Sequence, residues 1–488
     1  MTYFILLTDI SHQKRDACTS IPFPKIEGPR SRHDRIAIIG AGPSGIHMAY
    51  RLKEEGYTRV TVFEKNDYIG GKSRTIQHRG LPNDMGTVYL NPDYTEITYI
   101  TFEENIIRLI QEARPNTTID EAAKILEQSV IKYIALHNNM FGVYEGVMPR
   151  PCPAVLSQLN MSFGEFLRVN DLEALLGIFL ISQTSQGYGK LDKLSALYGL
   201  MLGTPTLMAE ILKPRAPRER IINILSKGFQ FLWEEIARQS KLTVKLSSPV
   251  TKVYRVRYRK EFYVQYRRNG RMCGEKFDFL ITSPFMKSMI DVISFEPEVS
   301  RMFKRATNSF FTVTLTDTDY GVNKGSKPRD SYFYNVAKDS YDVSVLSNRD
   351  TYGSLNFLID ENYTVPNPGG QQVKTSVYYQ FTNIKPKLKK VHQALKDHIL
   401  NFEQSGNINL IKRITWPYFQ RYSVSDMATG ILWDIFDLQG KHGMWYIGSS
   451  VSVESAIGVV DYNNLLLKQF LGTRKTNVNT TQSMPGLF

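Results

Sequence analysis

The sequence predicts an α/β protein built on a Rossmann-type dinucleotide-binding domain, and three observations carry that expectation. The run "IAII", residues 36–39, is apolar and β-branched like a buried strand, and it breaks into glycines at Gly40, Gly42 and Gly45. Ile46, Ala49, Tyr50 and Leu52 then recur at helical spacing up to Gly56. A second strand, "RVTVFEK", delivers Glu64 about twenty residues beyond the last glycine, where a βαβ unit presents an acid to ribose hydroxyls.

A strand, a glycine turn and a helix start together make an anion site, because free backbone N–H groups and the helix dipole converge there. Gly40, Gly42, Pro43, Ser44 and Gly45 are therefore the candidate cradle for a dinucleotide pyrophosphate, with Glu64, followed by Lys65, at the ribose. An acid in this place suits an unphosphorylated ribose and disfavours NADP, and it leaves NAD and FAD both open. The stretch "EKNDYIGGKSRT" adds Gly70, Gly71, Lys72 and Arg74. Gly71 would let the chain approach a phosphate closely, and Lys72 would neutralise pyrophosphate charge.

With these residues the chain resembles the FAD-binding amine oxidase superfamily, in which a glycine pair and a basic residue follow the ribose acid. The resemblance implies FAD. It also implies that Met85, Gly86 and Thr87 of "PNDMGTVYL" run beneath the flavin ring and that Val250 sets its backbone against the adenine. The C-terminal stretch "GMWYIGSSVSVESAIGVV" would close the site through Gly448, Ser449, Ser455 and Ala456, with Ser449 standing where the superfamily places an acid. No cysteine lies in that segment for a thioether link, so the cofactor is expected to be non-covalent. The implied fold interleaves an FAD-binding domain (residues 35–100, 226–284 and 411–472) with an α+β substrate domain (101–225 and 285–410). Residues 1–34 look like a polar leader outside the fold, and 473–488 like a flexible tail.

Bulk composition narrows the function classes. With 488 residues, 42% of them hydrophobic, the chain can bury a two-domain core, and it contains no apolar run long enough for a membrane-spanning helix. Cys18, Cys152 and Cys273 have no metal-ligand spacing and form no even disulfide framework, and the eight histidines are scattered, so no metal site is expected. A reduced, cytoplasmic setting is favoured on that basis, while sequons at Asn116, Asn160, Asn362 and Asn479 leave a secretory route open. The net charge of +13 suits anionic partners, including transient contact with a membrane surface. Its densest cluster alternates basic and apolar residues around Asn269-Gly270, the pattern of a hairpin with a solvated face, and no nucleic-acid-binding module is present.

No Ser-His-Asp set or paired-carboxylate signature stands out, so a bound flavin would carry the chemistry. Beyond the nucleotide motif, the chain is similar to the FAD-dependent polyunsaturated fatty-acid double-bond isomerases of bacteria and red algae. The matching stretches are "RIAIIGAGPSG", "IGGKSRT" with "DMGTVYLNPDY", "GYGKLDKLSALYGL", "TWPYFQRYSVSDM" and the segment from Gly448. That resemblance implies a free polyunsaturated fatty acid as substrate. A hydride would leave a carbon between two double bonds for flavin N5 and return elsewhere, giving a conjugated product. A delocalised cation survives only in a dry pocket, best walled by aromatic faces, for which Tyr188, Phe381, Trp416, Tyr418 and Phe419 are candidates. Bacterial members hold the fatty carboxylate with an arginine beside an aromatic residue, and the matching stretch "VIKYIAL" offers Lys132 and Tyr133. Two other readings stay open: an amine oxidase passing electrons to oxygen, and a binding protein without catalysis, since the Rab GDP-dissociation inhibitors share the fold.

Overall fold

The computed structural model describes residues 20–78, 81–86, 106–107, 110–111, 114–184, 187–212, 225, 227–256, 261–318, 343–350, 374–402 and 408–472. At its centre β1 (Ile36–Ile39), buried at every position, runs parallel to β2 (Val60–Phe63) with Ile36 opposite Val60. The same strand pairs on its other side with β9 (Phe279–Thr282). Adding β5 (Thr243–Lys245) and β14 (Met444–Tyr446) gives a five-stranded parallel sheet of order β14-β9-β1-β2-β5. Strands buried on both faces need continuous apolar sequence, which "IAII" and "FLIT" supply. Each fully buried Ile contributes roughly 2 kcal/mol of burial free energy. Helix α1 (Pro43–Glu54) crosses from β1 to β2 and packs on two later helices, at Phe229–Gln239 and Ala456–Leu471.

Three antiparallel sheets complete the described fold. A short pair, β3 (Thr75–His78) and β4 (Leu81–Asp84), leads away from the glycine pair. A three-stranded sheet, β6 (Val250–Val256), β7 (Glu261–Arg268) and β8 (Arg271–Phe277), contains the expected hairpin: Arg268 faces Arg271 across Asn269 and Gly270, at φ 49° and 75°. Positive φ at both turn residues is the twist-matched geometry that Asn-Gly adopts readily. The largest sheet has the order β11-β12-β10-β13, from β10 (Thr307–Thr318), β11 (Val343–Asp350), β12 (Lys374–Thr382) and β13 (Ile408–Arg421). The long helix α2 (Ile119–Phe141) begins with a capping box between Thr118 and Glu121.

Three expectations need correction. Residues 20–34 are not outside the fold: Phe23 stacks on Phe436 at 4.7 Å, Ile26 is buried, and Glu27 accepts a 2.8 Å hydrogen bond from the Trp445 indole. A proline-punctuated segment carries no helical or strand period, so its apolar residues dock one by one without announcing themselves. Residues 411–421 do not belong to the nucleotide domain, because β13 is paired along its length with β10; that boundary falls after Arg421. Cys152 is disulfide-bonded and Cys273 is free, so an odd cysteine count did not exclude a crosslink. The expected tail at 473–488 and residues 1–19 lie outside the described residues.

Candidate functional site

The glycine turn shows which glycines the fold itself requires. A methyl on Gly45 would stand 1.9 Å from the Gly40 carbonyl oxygen, so the strand-to-helix turn forbids a side chain there. Gly42 is different. Its backbone (φ −76°, ψ −178°) is open to any residue, and among the described residues an added Cβ would meet only the Gly71 Cα, at an ordinary 3.8 Å. Packing within the chain therefore does not explain the missing side chain at Gly42. The place leaves room for a group approaching from outside: no side chain caps the start of α1, Pro43 occupies its first turn, and Ser44 and Gly45 follow. Gly71, at φ 55°, closes the second side, its Cβ direction only 3.0 Å from the Gly42 Cα.

Glu64 is buried at the carboxyl end of β2, accepting 2.8 Å and 2.9 Å hydrogen bonds from the Ala41 and Asn66 N–H groups. Its carboxylate is thus fixed beside the loop, while Lys65 points to solvent. Val250 opens β6, half-buried opposite Tyr266. This arrangement fits the pyrophosphate and ribose of a dinucleotide.

The basic residue after the glycine pair goes elsewhere than expected. The Lys72 ammonium is ion-paired with Glu454, between the ring of Phe285 at 4.7 Å and that of Tyr418 at 5.4 Å. A buried carboxylate and two ring faces hold it there. The second Glu454 oxygen accepts the Phe419 N–H at 2.9 Å, and its backbone carbonyl accepts the Tyr188 hydroxyl at 2.8 Å. Met85 is fully buried beside Arg74, and Gly86 lies so close to the Lys72 carbonyl that a Cβ would stand 1.8 Å from it. Thr87 lies outside the described residues. Gly448 (φ 88°) runs against the Ser283 carbonyl, 2.5 Å from its Cβ direction, with Ser449 half-buried beside it. Ser455 caps the Ala456–Leu471 helix by accepting the Gly458 N–H at 2.9 Å, and Ala456 is the first helical residue.

Above Met85 lies one face of the β10–β13 sheet. Tyr379, Phe311 and Tyr418 form a stack, with centroids 5.3 Å and 5.0 Å apart and planes tilted by 22° and 28°. Phe381 faces Phe311 across the strands, and the Trp416 indole donates to the Met85 carbonyl at 2.8 Å. Phe419 is fully buried, 5.1 Å from Tyr188 and 5.2 Å from Tyr198. Its φ of 46° is costly for a bulky residue, about 1–3 kcal/mol, and its N–H bond to Glu454 helps to hold it. Burial pushes the Tyr188 phenol up, with the Glu454 charge adding to the effect, so it stays un-ionised.

The structure thus gathers Tyr188, Phe381, Trp416, Tyr418 and Phe419. Lys132 stands apart, exposed on α2 and paired with exposed Asp171 at 3.3 Å, and buried Tyr133 donates its hydroxyl to the Gly203 carbonyl. Sequence reasoning missed Phe311, Tyr379 and Glu454. Alternation along β10 and β12 could have found the first two, but no local pattern marks a lysine-glutamate pair so distant in sequence. Beyond Tyr188 opens a cavity of about 560 Å³, lined by Leu202, Leu207, Phe436, Val453 and Ile457 among others. Its charged lining residues are Glu210 and Asp461, and burial raises the Asp461 carboxyl. Among the described residues no metal-ligand cluster occurs and no helix is long and apolar enough to cross a membrane.

Comparison with known proteins extends these findings. A family model described as an NAD(P)-binding Rossmann-like domain matches residues 38–100. The chain is 22% identical over 484 aligned residues to a polyenoic fatty acid isomerase of Ptilota filicina, covering 90% of this chain and 95% of that one. It is 23% identical over 460 residues to the FAD-dependent oxidoreductase pigF of Monascus ruber, covering 88% and 90%. The crystal structure of a CLA-producing fatty acid isomerase from P. acnes matches with a TM-score of 0.70 at 18% identity, over 91% of this chain and 100% of that one. The likeness to fatty-acid isomerases read from short motifs therefore runs along most of the chain, and the expected mixed α/β architecture is the one found.

Proposed function

We propose that this protein is an FAD-dependent isomerase that moves a double bond in a free polyunsaturated fatty acid to give a conjugated product. The observation that carries the reading is the stacked aromatic face over Met85, joined to a glycine cradle whose Gly42 the described packing does not require. Gly40, Gly42, Pro43, Ser44, Gly45 and Gly71 hold the phosphates, Glu64 the ribose, and Val250 the adenine. Met85, Gly86, Gly448, Ser449, Ser455 and Ala456 border the flavin, and the three cysteines, all outside the C-terminal segment, favour a non-covalent cofactor. Bound FAD supplies hydride acceptance and return, so the reaction is redox-neutral.

The chain's own residues supply the environment. The rings of Phe311, Tyr379, Phe381, Trp416 and Tyr418 offer negative π faces, each stabilising a nearby delocalised cation by roughly 0.5–2 kcal/mol when water is excluded. Among the described residues, carboxylates beside that face are already engaged, Glu454 by Lys72 and Asp84 by the Thr75 hydroxyl and the Phe229 N–H. This favours hydride over proton removal, and it denies a protonated amine the open carboxylate that an amine oxidase would use. The cavity beyond Tyr188 suits an acyl chain. Exposed Ile384 and Leu388, among Lys385, Lys387 and Lys389, fit transient contact with an anionic lipid surface.

The test is anaerobic incubation of FAD-loaded protein with linoleate, arachidonate and a polyamine. A conjugated-diene absorbance without peroxide is expected from the acids. Peroxide formed only from the amine under air, with no diene, would replace this reading by the oxidase.

A further inference from the structure

We infer that Arg421 seats the substrate carboxylate at one end of the aromatic face; this rests on the fatty-acid reading above. The Arg421 side chain is half-buried, and its hydrogen-bond partners among the described residues are all neutral. Nη1 donates to the Ser309 hydroxyl at 2.6 Å and the Phe419 carbonyl at 3.3 Å, and Nη2 to the Asn383 side-chain oxygen at 3.3 Å. No carboxylate reaches it among the described residues. Comparable arginines do have acids: Arg35 pairs with Asp278 and Glu261, and Arg150 with Asp434 and Asp437. An arginine cannot escape burial by losing its proton, so a half-buried guanidinium held only by neutral groups favours an arriving anion.

Its position tells what the anion belongs to. Ser309 lies two residues before Phe311 on β10, and Asn383 two after Phe381, so alternation puts both on the aromatic face. The guanidinium carbon stands 5.5 Å from the Phe419 ring centroid, within cation–π reach. Asn383 is exposed, so this end of the face opens to solvent, next to Ile384 and Leu388. The Tyr188 cavity, whose charged lining residues are both acids, suits the apolar end instead. Arg413 also meets no acid among the described residues, but it bonds the Thr314 hydroxyl and His392 on the other face of the sheet, away from Trp416. A bidentate carboxylate at Arg421 would lay the polyene across the rings of Tyr418 and Phe311.

The experiment is equilibrium binding of linoleic acid and linoleyl alcohol to FAD-loaded wild type, Arg421→Met, Arg421→Lys and Asn383→Asp, with melting temperature and flavin occupancy as controls. Wild type should hold the acid at least ten-fold more tightly than the alcohol. Arg421→Met should lose roughly 10- to 100-fold for the acid and under three-fold for the alcohol, with partial recovery in Arg421→Lys. Asn383→Asp, an exposed change that leaves the core intact, sets a competing carboxylate on the guanidinium and should cost the acid about ten-fold. Equal affinity of wild type for acid and alcohol, or an acid-to-alcohol ratio unmoved in Arg421→Met and Asn383→Asp, overturns the assignment while leaving the fatty-acid reading standing. Wild type that binds neither lipid overturns both.

Discussion

Replacing Gly42 by alanine separates what the fold needs from what the cofactor needs. At Gly42 the backbone is extended and the new methyl would rest 3.8 Å from the Gly71 Cα, an ordinary contact. Gly→Ala at such a compatible site stabilises by about 0.4–1 kcal/mol, chiefly by restricting the unfolded chain, so the apoprotein should melt slightly higher or unchanged. The same methyl intrudes where the phosphates approach the α1 N-terminus. Loss of one or two charge-assisted hydrogen bonds, about 1.5–3 kcal/mol each, weakens FAD binding at least ten-fold. Gly45→Ala is the contrast. Its methyl would collide with the Gly40 oxygen at 1.9 Å, and the turn must distort at a cost of about 1–3 kcal/mol or more. The assay is a thermal melt of each apoprotein with and without FAD, together with a flavin fluorescence titration. The account expects Gly42→Ala to keep its apo melting temperature and lose the FAD-induced rise, and Gly45→Ala to lose both. Wild-type FAD affinity in a well-folded Gly42→Ala variant would refute the assignment of this loop.

Three further outcomes follow from the structure. Glu454→Gln removes the partner of Lys72 and weakens the anchor of Phe419; differential scanning calorimetry should show a loss of about 1–3 kcal/mol, and an unchanged melt contradicts the clamp. His137 is fully buried, 3.2 Å from the Leu200 carbonyl, and burial holds its pKa down to about 4. The fold keeps it neutral while the unfolded chain takes a proton near 6.5, so its contribution is complete above that pH. That contribution drains away as pH falls towards 4, by on the order of 3 kcal/mol. Melting temperatures across this window should flatten in His137→Gln, and an identical slope in both proteins would exclude His137 as the cause. Vesicle flotation should show more protein on anionic than on neutral membranes, reduced when Ile384 and Leu388 become serine; equal partition in all cases removes the lipid-surface contact.

The nucleotide half of the molecule was legible because its signals are local. A strand, a required glycine and a helix lie within a dozen residues, and Asn269-Gly270 fixes its hairpin by backbone preference alone. The substrate half was legible only as a set of aromatics. That Phe311 and Tyr379 join Tyr418 depends on which strands pair, and β10 sits between β12 and β13, far from both in sequence. Lys72 illustrates the same limit. Its place after a glycine pair suggested a phosphate partner, but Glu454, contributed by the last stretch of the chain, takes the ammonium. Arg421 carried no local mark at all, since what distinguishes it is that its described partners include no acid.

The central claim is that one hydride leaves and returns within the same substrate molecule, and isotopic bookkeeping tests it most directly. Linoleic acid deuterated at the carbon between its double bonds is incubated anaerobically with FAD-loaded protein, and the product is analysed by mass spectrometry and NMR. With water excluded by the aromatic face and the carboxylates beside it among the described residues already engaged, deuterium should reappear on the carbon that gains hydrogen, with turnover persisting without oxygen. Conjugated product whose deuterium has washed out completely into water would contradict the account in favour of proton abstraction by a side chain, and turnover that stops without oxygen would contradict it in favour of an oxidase.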